Sequence, residues 1–183
     1  MRLRVVNVHQ VTLQAPAERV GALLDTLATR TDELWPTQRW PRMAFEGGLR
    51  VGAVGGHGPI RYRVLEHEPG RRVRFGFLGP AGLEGDHWLE VLPGVGTGTV
   101  LRHGLVAGPR GAMRWQWPLV FRPLHDALIE DALVRAAAWV SGDPARLPAL
   151  SPRVRVLRRL MARRGRAPGP ARASADPAGP TRG

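Results

Sequence analysis

The stretch from Pro59 to Gly108 alternates apolar and polar side chains between short proline- and glycine-containing turns. A period of two over successive runs of this length demands antiparallel β-strands, so any fold for this chain must house a sheet built from them. The first turn is Glu68-Pro69-Gly70-Arg71. Proline at its second position pre-sets φ and glycine at its third accepts a positive φ, as a type II turn requires. Pairing Glu68 with Arg71 sets Val64 opposite Phe75, Tyr62 opposite Phe77 and Glu66 opposite Val73, all on one face. Arg61, Arg63, His67, Arg72 and Arg74 fall on the other, which is the apolar-in, charged-out pattern of a half-buried sheet.

A second turn, around Gly79-Pro80-Ala81-Gly82, leads into a strand whose odd positions Gly85, His87, Leu89 and Val91 keep the inward face. The third turn, Pro93 to Thr97, pairs its own ends. It sets His87 opposite His103, Leu89 opposite Leu101 and Gly85 opposite Leu105. The expected inner row is Val64, Phe75, His87, His103; a single bulge would turn one strand's residues to the other face.

Before this stretch, residues 3–14 read as a long strand with Val5, Asn7, His9, Val11 and Leu13 on one face. Pro16 is placed to open a helix over 17–28, carried by Val20, Leu23, Leu24 and Leu27. Residues 31–42 read as a short second helix or an ordered loop, because Trp35 and Trp40 each precede a proline. Weaker strands are expected over 43–45 and 49–54, in a glycine-rich region. After the breaker Gly108-Pro109-Arg110-Gly111, residues 112–140 read as one long helix with Trp117, Phe121, Leu124, Leu128, Ala132 and Ala136 at helical spacing. Pro118 and Pro123 should kink it or restart it.

The organisation expected is a folded domain over 1–143 and a basic Pro/Ala/Arg-rich tail over 144–183. The tail should be largely disordered, with a short amphipathic helix over 153–164. Charge follows that division. The net charge is +12 and every basic residue is arginine, but residues 1–150 hold 18 Arg against 14 acids, while 151–183 hold 9 Arg against one acid. Most of the excess is in the tail, so no specific nucleic-acid groove is expected in the body. The tail is suited to weak contact with an anionic membrane surface or with RNA. With no cysteine there is no disulfide framework and no thiolate chemistry. No apolar run is long enough to span a bilayer and the start lacks a signal-type apolar block, so a cytoplasmic location is expected.

The order strand, helix pair, six strands, long helix resembles the helix-grip fold of the START / Bet v1-like (SRPBCC, polyketide cyclase/dehydrase) superfamily. The resemblance covers residues 3–141. It rests on Val11 to Val20 at the first strand–helix junction, on Tyr62 to Arg71 at the central hairpin, and on Pro123 to Leu128 of the last helix. It implies an α+β fold with a seven-stranded curved antiparallel sheet around the long C-terminal helix, two short helices after the first strand, and an apolar cavity between sheet and helix. Members of the superfamily bind lipids, sterols and polyketides, and a minority cyclise or dehydrate them. No catalytic set is shared across it, and fold alone does not give function.

The candidate ligand-binding residues are those of the inner face and the facing helix: Tyr62, Val64, Phe75, Phe77, His87, Leu89, Leu101, His103, Leu105, Trp117 and Phe121. The catalytic candidates are His87, His103 and Tyr62. Two imidazoles in an apolar cavity resist charging, because burial and mutual repulsion both lower their pKa. They can bond each other or water, hold a ligand carbonyl or hydroxyl, or act as general acid and base. Glu66 faces inward by parity, and His9 and His57 have no defined geometry. Two histidines without a third ligand make no zinc set, so neither metal nor cofactor is expected. Trp88 should face outward, as a self-association surface or under the tail. Trp35, Trp40 and Trp115 rim the entrance or anchor loops. Arg122/Asp126 and Asp131/Arg135 read as solvated i,i+4 helix pairs. The partner expected is a small hydrophobic ligand of the polyketide, lipid or isoprenoid type, with cyclase/dehydratase chemistry and tail docking to anionic lipid or RNA as alternatives.

Overall fold

The computed structural model of the chain describes residues 4–164. Strand β1 (Val5–Leu13) is stopped by Ala15-Pro16, and Pro16, extended at φ −66°, opens helix α1 (Ala17–Leu24). Val20, Leu23 and Leu24 of α1 are buried in the main core. Residues 25–42 form an ordered loop with a single helical turn, in which the Trp40 N–H donates to Pro36 O. Proline disfavours helical geometry in the residue before it, so Trp35-Pro36 and Trp40-Pro41 bracket that turn and stop it growing. Asp32 organises the loop by accepting the backbone N–H groups of Ala28, Leu34 and Trp35.

Seven strands then make one antiparallel sheet in the order β1-β7-β6-β5-β4-β3-β2. The others are β2 (Ala44–Phe45), β3 (Val54–His57), β4 (Ile60–Glu68), β5 (Arg72–Gly79), β6 (Gly85–Pro93) and β7 (Thr99–Ala107). The strand expected over 49–54 starts only at Val54. Gly52, inside that stretch, sits at φ 88° in a turn, which breaks extended structure before it.

Two registers depart from expectation. In the β4–β5 hairpin Tyr62 faces Phe77 and Val64 faces Phe75, but a bulge follows Val64, and Glu66 then pairs with Arg74 and His67 with Val73. The bulge turns Glu66 to the outer face, where its carboxylate lies 3.5 Å from Arg72 and 4.0 Å from Arg74. Between β6 and β7 the loop is two residues longer than expected: Pro93 faces Thr99, and the Gly94 N–H closes the loop on Gly98 O. His87 therefore faces Leu105, His103 faces Leu89, Leu101 faces Val91, and Gly85 faces Ala107. A slip of two leaves every side chain on its expected face, so the inner row survives with different direct partners.

The helical arm is interrupted where its prolines require it. Helix α2 (Met113–Gln116) runs into a π-helical turn over Trp117–Phe121 and then helix α3 (Arg122–Ser141). Pro118 and Pro123 have no N–H to give the preceding turn, and the wider turn absorbs the mismatch. The Leu119 carbonyl that Pro123 cannot satisfy instead accepts from Arg153 at 2.9 Å, with Pro118 O at 3.4 Å from the same guanidinium nitrogen. Gly142, at φ 79°, ends α3 with its N–H on Ala138 O.

Helix α4 (Pro152–Arg164) packs on α3, with Val154 buried and the Arg158 guanidinium over the Trp40 ring at 4.8 Å. The disorder expected for 166–183 lies outside the described residues. Among the described residues, no helix is long and apolar enough to cross a membrane.

Candidate functional site

Nine of the expected ligand-binding residues are buried: Tyr62, Val64, Phe75, His87, Leu89, Leu101, His103, Leu105 and Trp117; Phe77 and Phe121 are partly buried against them. The sheet's inner face and the helical arm thus pack as two apolar clusters, with Phe77 and Phe121 against both. A line of polar rings crosses them. The His57 ring nitrogen Nε2 lies 2.9 Å from the Tyr62 hydroxyl, and the Tyr62 and His87 ring centres are 4.6 Å apart. His87 Nδ1 and His103 Nε2 are hydrogen-bonded at 3.1 Å. The His103 and His125 ring centres are 4.9 Å apart, and His125 lies 6.1 Å from His9. The pair expected to meet head-on therefore meets diagonally across β6 and β7.

Beyond that shared bond, His87 Nε2 and His103 Nδ1 are buried without a partner among the described residues. Burial first, and neighbouring imidazoles second, hold both rings well below the usual imidazole pKa, so both are neutral. Burial, with His125 and Arg61 nearby, brings His57 down to about 3. Burial pushes the Tyr62 phenol up, which keeps it a hydrogen-bond donor.

The line ends in a cluster that sequence reasoning did not assemble. His9 Nε2 lies 3.1 Å from Asp126 Oδ1, the Asn7 amide donates to the same oxygen at 2.9 Å, and His125 Nδ1 is 3.5 Å away. Asp126 is thus no mere solvated partner of Arg122, whose Nε stands 3.6 Å from its other oxygen. Burial opposes ionisation of Asp126, but the polar groups of His125, Asn7 and His9 outweigh it and hold the carboxyl at about 2. Burial lowers the His125 pKa, against the raising effect of Asp126. One signal in the sequence was available. His125 follows Phe121 by four and precedes Leu128 by three, on the stripe that faces the core.

Asp131 is also no solvated pair with Arg135. It is 1% exposed, accepts from Trp40 Nε1 at 2.7 Å, and pairs with Arg39 at 3.1 Å, while Arg135 donates to Glu33 O. Trp35 and Trp40 are buried loop anchors; Trp115 is exposed. Trp88 does face outward, its indole N–H on Glu90 and its ring 5.5 Å from the Arg72 guanidinium. An open groove of about 390 Å³ between α4 and the Arg39 loop, lined by Arg39, Leu150, Arg155, Arg158, Arg159 and Ala162, contains none of the expected site residues.

The architecture and site define an α+β helix-grip protein. No family model matches the sequence, nor does any curated protein. Solved structures do. Norcoclaurine synthase from Thalictrum flavum, a point mutant in complex with a transition-state analogue, superposes with a TM-score of 0.58 at 16% identity, over 78% of this chain and 97% of that one. CalU16 from Micromonospora echinospora gives 0.54 at 19% identity, over 90% and 93%. The di-domain ARO/CYC StfQ of the steffimycin biosynthetic pathway gives 0.57 at 15% identity, over 76% of this chain and 51% of that one. The chain shares the helix-grip fold of these solved structures.

Proposed function

We propose that the chain binds a small hydrophobic ligand of the polyketide, lipid or isoprenoid type between the inner face of the sheet and α3, and that the His87–His103 pair reads the ligand's polar groups. The observation that carries this reading is the pair of unpartnered ring nitrogens set among apolar side chains. Leaving a buried polar atom without a partner costs about 1–3 kcal/mol, so such atoms mark a place where a partner is wanted. The chemistry offered is definite. Each neutral imidazole carries one N–H; if His87 Nδ1 donates to His103 Nε2, His87 Nε2 is left an acceptor and His103 Nδ1 a donor. The opposite tautomers exchange these roles. Either way one donor and one acceptor face outward from the pair, which suits a hydroxyl beside a carbonyl. The fold neighbours support a small organic ligand in general: one norcoclaurine synthase structure holds dopamine and hydroxybenzaldehyde, and StfQ is an ARO/CYC of a biosynthetic pathway.

The test is native mass spectrometry of the purified chain for a co-purified ligand, with tryptophan quenching by apolar probes and by their hydroxyketone analogues. His103→Leu should leave apolar-probe binding unchanged and weaken the hydroxyketone about tenfold, the worth of one hydrogen bond. Absence of both a co-purified ligand and saturable probe binding would sink the reading.

The same hydrogen bond favours a second reading, a cyclase or dehydratase. If the ligand gives a proton to the acceptor end, the shared proton crosses the pair and the donor end releases its own to the ligand, so the two rings exchange tautomers and stay neutral. This is a coupled general base and general acid step on a ketone, with the Tyr62 phenol as a neutral donor nearby. In that case His103→Ala abolishes turnover while binding is largely kept.

A further inference from the structure

We infer that His9, His125 and Asp126 form a binding site for one divalent transition-metal ion of the zinc type, where β1 meets the first turn of α3. The site uses other residues than the ligand-reading pair, so the two readings stand or fall separately.

The spacing comes first. The three ligand atoms lie within 4.8 Å of one another. His9 Nε2 and His125 Nδ1 stand 3.1 Å and 3.5 Å from the same Asp126 oxygen. Ligands bound at about 2.0–2.1 Å around a tetrahedral ion are about 3.3 Å apart. Two of the three separations are already those that a bound ion imposes.

The second observation concerns His125. Neither of its ring nitrogens has a hydrogen-bond partner among the described residues, and both atoms are buried. A plain His9–Asp126 hydrogen bond accounts for His9 and leaves His125 Nδ1 near the carboxylate without a bond. An ion between the three groups gives that nitrogen its partner.

The third is the support around the carboxylate. Asn7, two residues before His9 on the same face of β1, donates to Asp126 Oδ1 and fixes its orientation. Metal-binding carboxylates are held in this way by groups that do not touch the ion. The side chains of His9, Asp126 and His125 remain 17%, 29% and 16% exposed, so the cluster lies close enough to solvent for a bound ion to keep a water. Two imidazoles and one carboxylate suit zinc, cobalt or iron(II); a single oxygen-donor residue is too few for calcium or magnesium. Three protein ligands leave a coordination position open, the arrangement of reactive sites and not of closed structural ones.

The experiment is titration of EDTA-treated full-length protein with ZnCl₂ by calorimetry, and with CoCl₂ by visible absorption. One equivalent should bind at micromolar or tighter affinity, with a ligand-field band for cobalt. His125→Gln and Asp126→Asn, which keep side-chain size, should each weaken binding at least tenfold. Asn7→Ala should weaken it about tenfold through the carboxylate alone. His67→Ala, on the β4–β5 hairpin, should change nothing. In the unsubstituted protein, Co²⁺ should broaden the ring proton signals of His9 and His125 before those of His67, which decides the matter even if a variant fails to fold. No binding at equimolar zinc, broadening that begins at His67, or undiminished affinity in both His125→Gln and Asp126→Asn would overturn the assignment.

Discussion

A histidine that folding holds neutral makes a protein sensitive to acid. His87 is 6% exposed and its pKa lies well below the usual value; His57 is brought to about 3. In the unfolded chain both take up a proton near pH 6.5, while in the folded chain His57 stays neutral to about pH 3. Below pH 6.5 the unfolded state therefore binds more protons, and stability that is full above that pH is lost as it falls. Each such ring contributes a slope of up to about 1.4 kcal/mol per pH unit. The midpoint of urea unfolding should drop continuously from about pH 7 to pH 5, and His87→Phe should flatten the slope. A midpoint constant over that range would show that the rings take up protons as readily in the folded protein as in the unfolded one. Glu90 adds in the same direction. Burial opposes its ionisation, yet hydrogen bonds from Trp88 and Arg102 and the charges of Arg102 and Arg72 keep its pKa low. The stability it gives is lost only as pH falls below the ordinary carboxylate range.

At the scale of elements, α1 is held against the β4–β5 turn by a close approach of backbones. A Cβ on Gly21 would run into the carbonyl of Gly70 and come to 2.8 Å from its Cα, and Asp25 accepts the Gly70 N–H at 2.7 Å. Backbone cannot swing aside as a side chain can. Gly21→Ala should thus cost about 1–3 kcal/mol, read as a lower thermal midpoint, although alanine favours helix by propensity. The same scale shows what alternation can and cannot reveal. His87, His103, Tyr62 and Phe75 were legible because parity in a strand survives an even slip, and the β6–β7 loop error was an even one. Glu66 was not legible, since the bulge after Val64 falls at Leu65, where no glycine or proline announces it. His125 was hidden differently. It sits on the core stripe of the arm, but its nearness to His9 follows from how that arm docks across β1, a tertiary fact that no local pattern contains.

For the whole molecule, Asp131 ties three separate pieces together. It accepts from Trp40 and pairs with Arg39, and Arg39 in turn donates to Pro148 O, so the loop after α1, the long helix and the linker before α4 meet at one carboxylate. Asp131→Ala would leave the Trp40 indole N–H without an acceptor and Arg39 without its counter-charge. The expected loss is about 2–3 kcal/mol, below the range for a fully buried pair because Arg39 is 23% exposed. Denaturant unfolding measures it, and a loss under about 0.5 kcal/mol would show that the pair contributes no more than a surface one.

The proline-broken arm has a further consequence. Its two spare carbonyls are covered by a guanidinium that arrives from Arg153, on a different helix and after an intervening linker. Replacing Arg153 with alanine would strip that cover from the bend immediately before His125 and Asp126. A side chain that touches neither residue thus braces, from a separate helix, the corner from which both are aimed at β1.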